Sequence, residues 1–123
     1  MSAPQDAGSA FDPEIVASLK AIAAEGKPGF LESLVMIFLK DTSAGLDQIR
    51  EALRTRDART CERAAHALKG SCGNVGAMRL SGLMEELLRR IRSGELEKAA
   101  ETAAAARIEF ETVGQRLRGE LGL

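Results

Sequence analysis

The chain holds one histidine, His66, set in the run Ala64-Ala65-His66-Ala67-Leu68-Lys69-Gly70-Ser71-Cys72-Gly73, which reads as helix. Lys69 lies three residues on and Gly70 four, so both share the helical face of His66. Glu62 and Gly73 fall on that face too, while Ala65 and Leu68 turn inward. A cation and two missing side chains thus flank one titratable nucleophile. Imidazole, with an ordinary pKa of about 6.5, is substantially neutral near pH 7, and its neutral nitrogen is a good nucleophile toward phosphorus. A lysine on the same face would offset charge on an incoming phosphoryl group. The plain alternative is a solvated histidine beside a solvated lysine, a spacing common on helices.

The glycines bear on that choice. Each costs a helix about 1 kcal/mol against alanine. Either a neighbouring helix packs close to them, or a partner protein must approach the backbone. Gly70 lies off the apolar stripe, which favours the partner; Gly73, nearer the helix end, leaves both explanations open. A third chemistry, His66 as a general base oriented by Glu62 one turn earlier, needs an enclosed pocket, and an open helix face excludes little water.

The supporting elements follow from composition and period. The 123 residues fit one domain able to bury a core without metal or disulfide staples. Ala, Leu, Glu and Arg dominate, and the aromatics are four Phe with no Trp or Tyr, which favours an all-α protein. With 17 basic and 18 acidic residues the net charge is -1, so no bulk field draws the chain to nucleic acid or an anionic membrane. Residues 1–10 read as a flexible N-terminal tail without a secretory signal's basic start and apolar run, and residues 11–123 as the domain. No apolar stretch approaches the roughly 20 residues that span a bilayer, so a soluble, cytoplasmic protein is expected, as a monomer.

Asp12 and Pro13 start a short amphipathic helix carrying Ile15, Leu19 and Ile22, which Gly26 can end. A second helix starts near Pro28 and keeps apolar spacing through Leu31, Leu34, Phe38, Leu46, Ile49 and Leu53 to about Thr55; nothing in the sequence explains Gly45 within it. The third runs from about Asp57 to Gly76 with Cys61, Ala65, Leu68, Cys72 and Val75 inward. The fourth spans about Met78 to Ser93 on Leu80, Leu83, Met84, Leu87 and Ile91. The fifth carries Leu96, Ala99, Ala103, Ala106, Phe110, Val113 and Leu117. Short loops near residues 26, 56, 76 and 94 set consecutive helices antiparallel. The expected fold is an up-down four-helix bundle with an additional short N-terminal helix.

Cys61 and Cys72 lie eleven residues apart on one helix, about 16 Å along its axis, beyond the roughly 7 Å a disulfide tolerates. They read as buried reduced thiols. One histidine and no Cys-x-x-Cys pair leave no zinc site, and no cofactor is expected on this chain.

The run His66-x-Leu68-Lys69-Gly70-Ser71-x-x-x-x-Gly76-Ala77 resembles the signature of the histidine-containing phosphotransfer (HPt) domain family of two-component phosphorelays. Phe11-Asp12-Pro13-Glu14-Ile15, Phe30-Leu31-Glu32-Ser33-Leu34 and Phe38-Leu39 are similar to that family as well, so the resemblance covers residues 11 to 118. It implies a phosphoacceptor at His66, generally through Nε2, a basic partner of the phosphoryl group at Lys69, and a gap at Gly70 that admits the response regulator; Glu62 and Gly73, which share that face by spacing, are expected as further docking residues. Cys72 stands where the family often has Ser or Ala; it falls on the core stripe. The family also places a polar residue near the phosphohistidine from a neighbouring helix, which no motif here identifies. The implied partners are receiver domains of hybrid histidine kinases and response regulators, which would hold the magnesium. The chain carries no Gly-rich phosphate loop and no kinase-type metal ligands, so it would be a phosphocarrier without ATP-dependent kinase activity of its own.

Overall fold

A computed structural model describes residues 10–26 and 28–123. Five helices follow in order, α1 (Pro13–Ala24), α2 (Phe30–Arg54), α3 (Ala58–Asn74), α4 (Met78–Arg92) and α5 (Leu96–Leu121), and among the described residues there is no strand, only an isolated bridge between Phe11 and Ala77. α2 packs on α3, α3 on α4, α4 on α5, and α5 closes back on α2, giving the four-helix up-down bundle; α1 lies more lightly against α2 and α5.

The helices begin and end for local reasons. The Asp12 carboxylate accepts hydrogen bonds from the Glu14 and Ile15 amides at 2.9 and 3.4 Å, with Pro13 first in α1. The Asp57 carboxylate caps α3, accepting from the Thr60 amide at 3.1 Å and its hydroxyl at 2.7 Å. Gly29, in a left-handed conformation at φ 79°, delays α2 to Phe30 rather than Pro28, because the turn before it is not helical. Gly76, at φ 78°, turns the chain between α3 and α4 and accepts from the Asp12 amide at 2.8 Å, and a Cβ there would stand 3.2 Å from the Ile15 side chain. The start of α1 is thereby locked to the turn that follows the His66 helix.

Most of the expected core stripes are inward. Cys61, Ala65, Leu68, Cys72 and Val75 are all buried, joined by Ile49, Leu80, Met84, Leu87, Val113 and Leu117 from the other helices. Two expectations need correction. Ala10, assigned to the tail, is packed, and its carbonyl accepts from the Met78 amide at 2.8 Å; the rest of that tail lies outside the described residues. In α1 the buried residue is Val16 and Leu19 is partly buried against the core, while Ile22, in the last turn of this short helix, is 51% exposed.

The structure also explains Gly45. A Cβ at that position would lie 2.8 Å from the Leu68 methyls and 2.9 Å from its Cγ. Leu68 is itself buried, so it has little room to retreat. Gly114 makes the same allowance for Leu39 on the α2–α5 side, at 2.8 Å. These are packing glycines. Arg56 poses the opposite case, as the one described residue other than glycine at positive φ, 59°, just after α2.

Two substitutions should therefore act against simple helix propensity. Gly45→Ala should destabilise by about 1–3 kcal/mol, because overpacking against Leu68 outweighs the propensity gain. Arg56→Gly should stabilise by roughly 1 kcal/mol through relief of its left-handed conformation. Urea denaturation of the two variants beside the parent reads both signs.

Candidate functional site

α3 presents His66 outward. Leu68 points into the bundle, and residues two away on a helix are turned by about 200°, so His66 and Gly70 both face solvent. No hydrogen bond or ion pair engages His66 among the described residues, leaving both ring nitrogens to solvent or a partner. It lines a shallow groove of about 480 Å³ with Arg59, Glu62, Arg63 and Ala67 from α3 and Arg92 from α4.

Gly70 is exposed and Gly73 half-buried, and a Cβ on either would meet nothing within 4 Å among the described residues. The contrast with Gly45 and Gly114 is direct: no neighbouring helix needs the space above Gly70 and Gly73. The packing explanation left open for Gly73 therefore falls. What remains is a stretch of bare backbone beside the imidazole.

The two other expected residues are engaged across the α3–α4 seam. Lys69 Nζ lies 4.0 Å from a Glu85 oxygen, a loose pair with both side chains well exposed. Glu62 accepts from Arg92 Nε at 2.7 Å, so its carboxylate is turned to α4 and does not orient the imidazole. Seven residues back on α3 correspond to seven forward on α4, which is the signature of an antiparallel seam. Beneath it the Ser81 hydroxyl donates to the Lys69 carbonyl at 3.3 Å, tying the His66 helix to α4 at depth. Exposed ion pairs of this kind contribute little stability, typically under about 1 kcal/mol, so both are free to exchange partners when an anion docks.

The sequence reading missed three groove residues. Arg59 and Arg63, seven and three residues before His66, share its face by the same spacing that picked out Lys69. Arg92 carries no such signature, because its approach depends on the α3–α4 register. A larger groove of about 610 Å³ runs between α2 and α5 over Leu46, Leu53, Ala100, Ala103 and Ile108; it shares no residue with the His66 groove.

The cysteines do not compete as nucleophiles. Burial pushes the Cys61 thiol up to about 11, with the Asp57 charge adding, and burial alone pushes Cys72 up to about 12. Nor do any three His, Cys, Asp or Glu side chains among the described residues gather as a metal-binding group. No described helix is long and apolar enough to cross a membrane.

The sequence profile of the Hpt domain matches residues 33–120. A curated rice protein (Oryza sativa subsp. japonica), pseudo histidine-containing phosphotransfer protein 1, is 36% identical over 58 residues, 46% of this chain and 31% of that protein. The chain thus spans about a third of that relative's length. Among solved structures, histidine-containing phosphotransfer protein B from Pseudomonas aeruginosa PAO1 superposes with a TM-score of 0.62 at 29% identity, over 87% of this chain and 96% of that one. A rice protein provisionally named a histidine-containing phosphotransfer protein superposes with a TM-score of 0.82 over 94% of this chain and 84% of that one; at 19% identity that likeness concerns the fold.

The raised thiol values set a pH dependence. A native state that keeps both thiols protonated loses nothing below the ordinary thiol value of about 8.5, but above it the unfolded chain ionises and the native chain does not. Stability should hold up to about pH 8.5 and fall as pH rises toward the folded-state values of about 11 and 12. At pH 8 iodoacetamide should alkylate the denatured chain rapidly and the native chain slowly. Fast native alkylation would mean that the thiols are reachable.

Proposed function

The chain belongs to the Hpt domain family, which serves histidine phosphotransfer in phosphorelays and works with receiver domains, and on that premise we propose that His66 is its phosphoacceptor. The observation that carries this reading is an imidazole that, among the described residues, has no partner and lies beside glycine backbone with nothing above it. A receiver's active-site loops must come within bonding distance of the imidazole, and Gly70 and Gly73 leave them room.

The step is a reversible exchange. The Nε2 lone pair forms an N–P bond while the P–O bond to the receiver's aspartate breaks. The carboxylate leaves with the bonding pair, and the proton on Nδ1 stays with the ring. In the return direction an aspartate of a second receiver attacks the phosphorus and the imidazole leaves. The donor would be the receiver of a hybrid histidine kinase and the acceptor a response regulator. In-line positioning and charge neutralisation are the main requirements of phosphoryl transfer, and they would be divided between the partners. Magnesium would sit on the receiver. This chain would act as a cytoplasmic monomer, a phosphocarrier without nucleotide chemistry of its own.

Lys69 would supply the local cation. To do so Nζ must leave Glu85, and at 4.0 Å between exposed groups that exchange costs little. A hydrogen bond to an ionised group is worth about 1.5–3 kcal/mol, and solvent holds this one to the lower end.

His66→Gln keeps size and polarity but removes the nucleophile. It should fold normally and take no acid-labile, base-stable phosphoryl label from a phosphorylated receiver; label persisting in that variant contradicts the assignment. Lys69→Ala should keep its helix content and slow transfer by about tenfold, the kinetic equivalent of about 1.4 kcal/mol. Unchanged rates in both directions would leave Lys69 as a solvated side chain.

Gly70 separates stability from function. Gly70→Ala should raise stability by roughly 0.5–1 kcal/mol, since its Cβ meets nothing. Gly70→Gln should fold as well, yet slow transfer from a receiver far more than labelling by phosphoramidate, a donor that needs no docking surface. Loss of folding in Gly70→Gln would contradict the open-face geometry.

A further inference from the structure

The exposed face of α3 is uneven. Its carboxy-terminal half, past His66, holds Ala67, Lys69, Gly70, Gly73 and Asn74, with bare backbone at the two glycines and the lysine paired to Glu85. Its amino-terminal half holds Arg59 and Arg63, both exposed and lining the groove that contains His66. The anion nearest in that groove, Glu62, is already held by Arg92 at 2.7 Å. Among the described residues neither Arg59 nor Arg63 makes a hydrogen bond or ion pair, and Asp57, whose carboxylate they influence at longer range, is occupied with capping α3. Three arginines therefore face one neutralised carboxylate in the groove.

Arg59 is also poorly placed for stability. It stands in the first turn of α3, where the helix dipole disfavours a cation. α1, α2 and α5 each place a glutamate in their first turn, namely Glu14, Glu32 and Glu97. α4 has Arg79 there, but that charge is met by Glu109 at 3.7 Å. Arg59 has no such partner among the described residues, so its charge remains available to a docked molecule.

Resting on the phosphotransfer reading above, we propose that Arg59 and Arg63 form a cationic docking strip that selects receiver domains with an acidic rim beside their phosphorylated aspartate. The strip lies about 4.5 to 10.5 Å before His66 along the helix axis. Those distances put both arginines under the receiver's rim when its phosphorylated aspartate stands over His66. The strip also fixes orientation: acidic rim over the arginines, active-site loops over Gly70 and Gly73. A receiver with a neutral or basic rim meets repulsion or unpaired charge there and is rejected, which is how charge patterns discriminate partners.

The test uses the whole chain with Arg59→Gln and Arg63→Gln combined, each change confined to an exposed side chain. Melting temperature should hold or rise, since a misplaced cation is removed. Transfer from an acid-rimmed receiver should slow by about tenfold or more at low salt, and the difference from the parent should shrink at high salt, as electrostatic steering does. Neutralising the receiver's acidic rim should slow the parent protein and abolish the difference between parent and variant. Labelling of His66 by phosphoramidate, and the lifetime of the phosphohistidine afterwards, should not change. Equal transfer by parent and variant at every salt concentration overturns the proposal. So does an equal loss with phosphoramidate or a shortened lifetime without receiver, because the arginines would then act on the phosphoryl group and not on the partner. Should the parent protein take label from no donor at all, the phosphotransfer reading itself fails, a result distinct from either of these.

Discussion

Leu68 seated over Gly45 fixes the rotation of α3, and the candidate site depends on it. The leucine is buried against α2 at a position where even a methyl group would not fit. A buried leucine is worth about 1.5–3 kcal/mol, so turning α3 to bury His66 would expose Leu68 and cost most of that. With Leu68 inward, helix geometry alone carries His66 and Gly70 to solvent. The α3–α4 seam then holds the helix along its length, through Ser81 beneath Lys69 and the pairs Lys69–Glu85 and Glu62–Arg92 at the surface.

Glycine serves two opposite purposes in one bundle. At Gly45 and Gly114 it lets helices come close, and the neighbouring leucine fills the space. At Gly70 and Gly73 it leaves space that nothing in the described fold fills. The first kind strengthens packing and the second only weakens a helix. The charges beside His66 follow the same logic. Among the described residues Arg59 and Arg63 have no ion pair on their exposed face, whereas Arg79 and Arg107 elsewhere on the surface meet Glu109 and Asp47. Two cations beside His66 are thus left for a docked molecule to meet, which is what a surface kept for a transient partner requires.

What the sequence revealed was whatever depends on period. The inward stripe of α3 was legible residue by residue because each member repeats at three or four, and the same spacing gave His66, Lys69 and Gly70 one face. The HPt signature added chemistry that spacing alone left undecided. Cross-helix relations were not legible. Nothing in the period of α2 says that Gly45 faces Leu68, or in that of α3 that Glu62 turns to Arg92, because such pairs are set by register between helices. Ile22 fits an amphipathic pattern yet stays exposed, since the pattern cannot tell how far a short helix remains in contact. Arg59 and Arg63 were legible in principle and went unread, because a charge run on a helix is normally just a solvated face.

Exchange of a phosphoryl group between the open imidazole of His66 and a receiver's aspartate would be visible at the ring itself. Imidazole nitrogen NMR of the labelled protein tests it most directly, recorded as a phosphorylated receiver is added. Nε2 of His66 should take on the shift of a phosphorylated nitrogen while Nδ1 retains its proton and the receiver's aspartyl phosphate disappears in step. An unchanged His66 ring while the aspartyl phosphate persists, or decays only to inorganic phosphate, would contradict it.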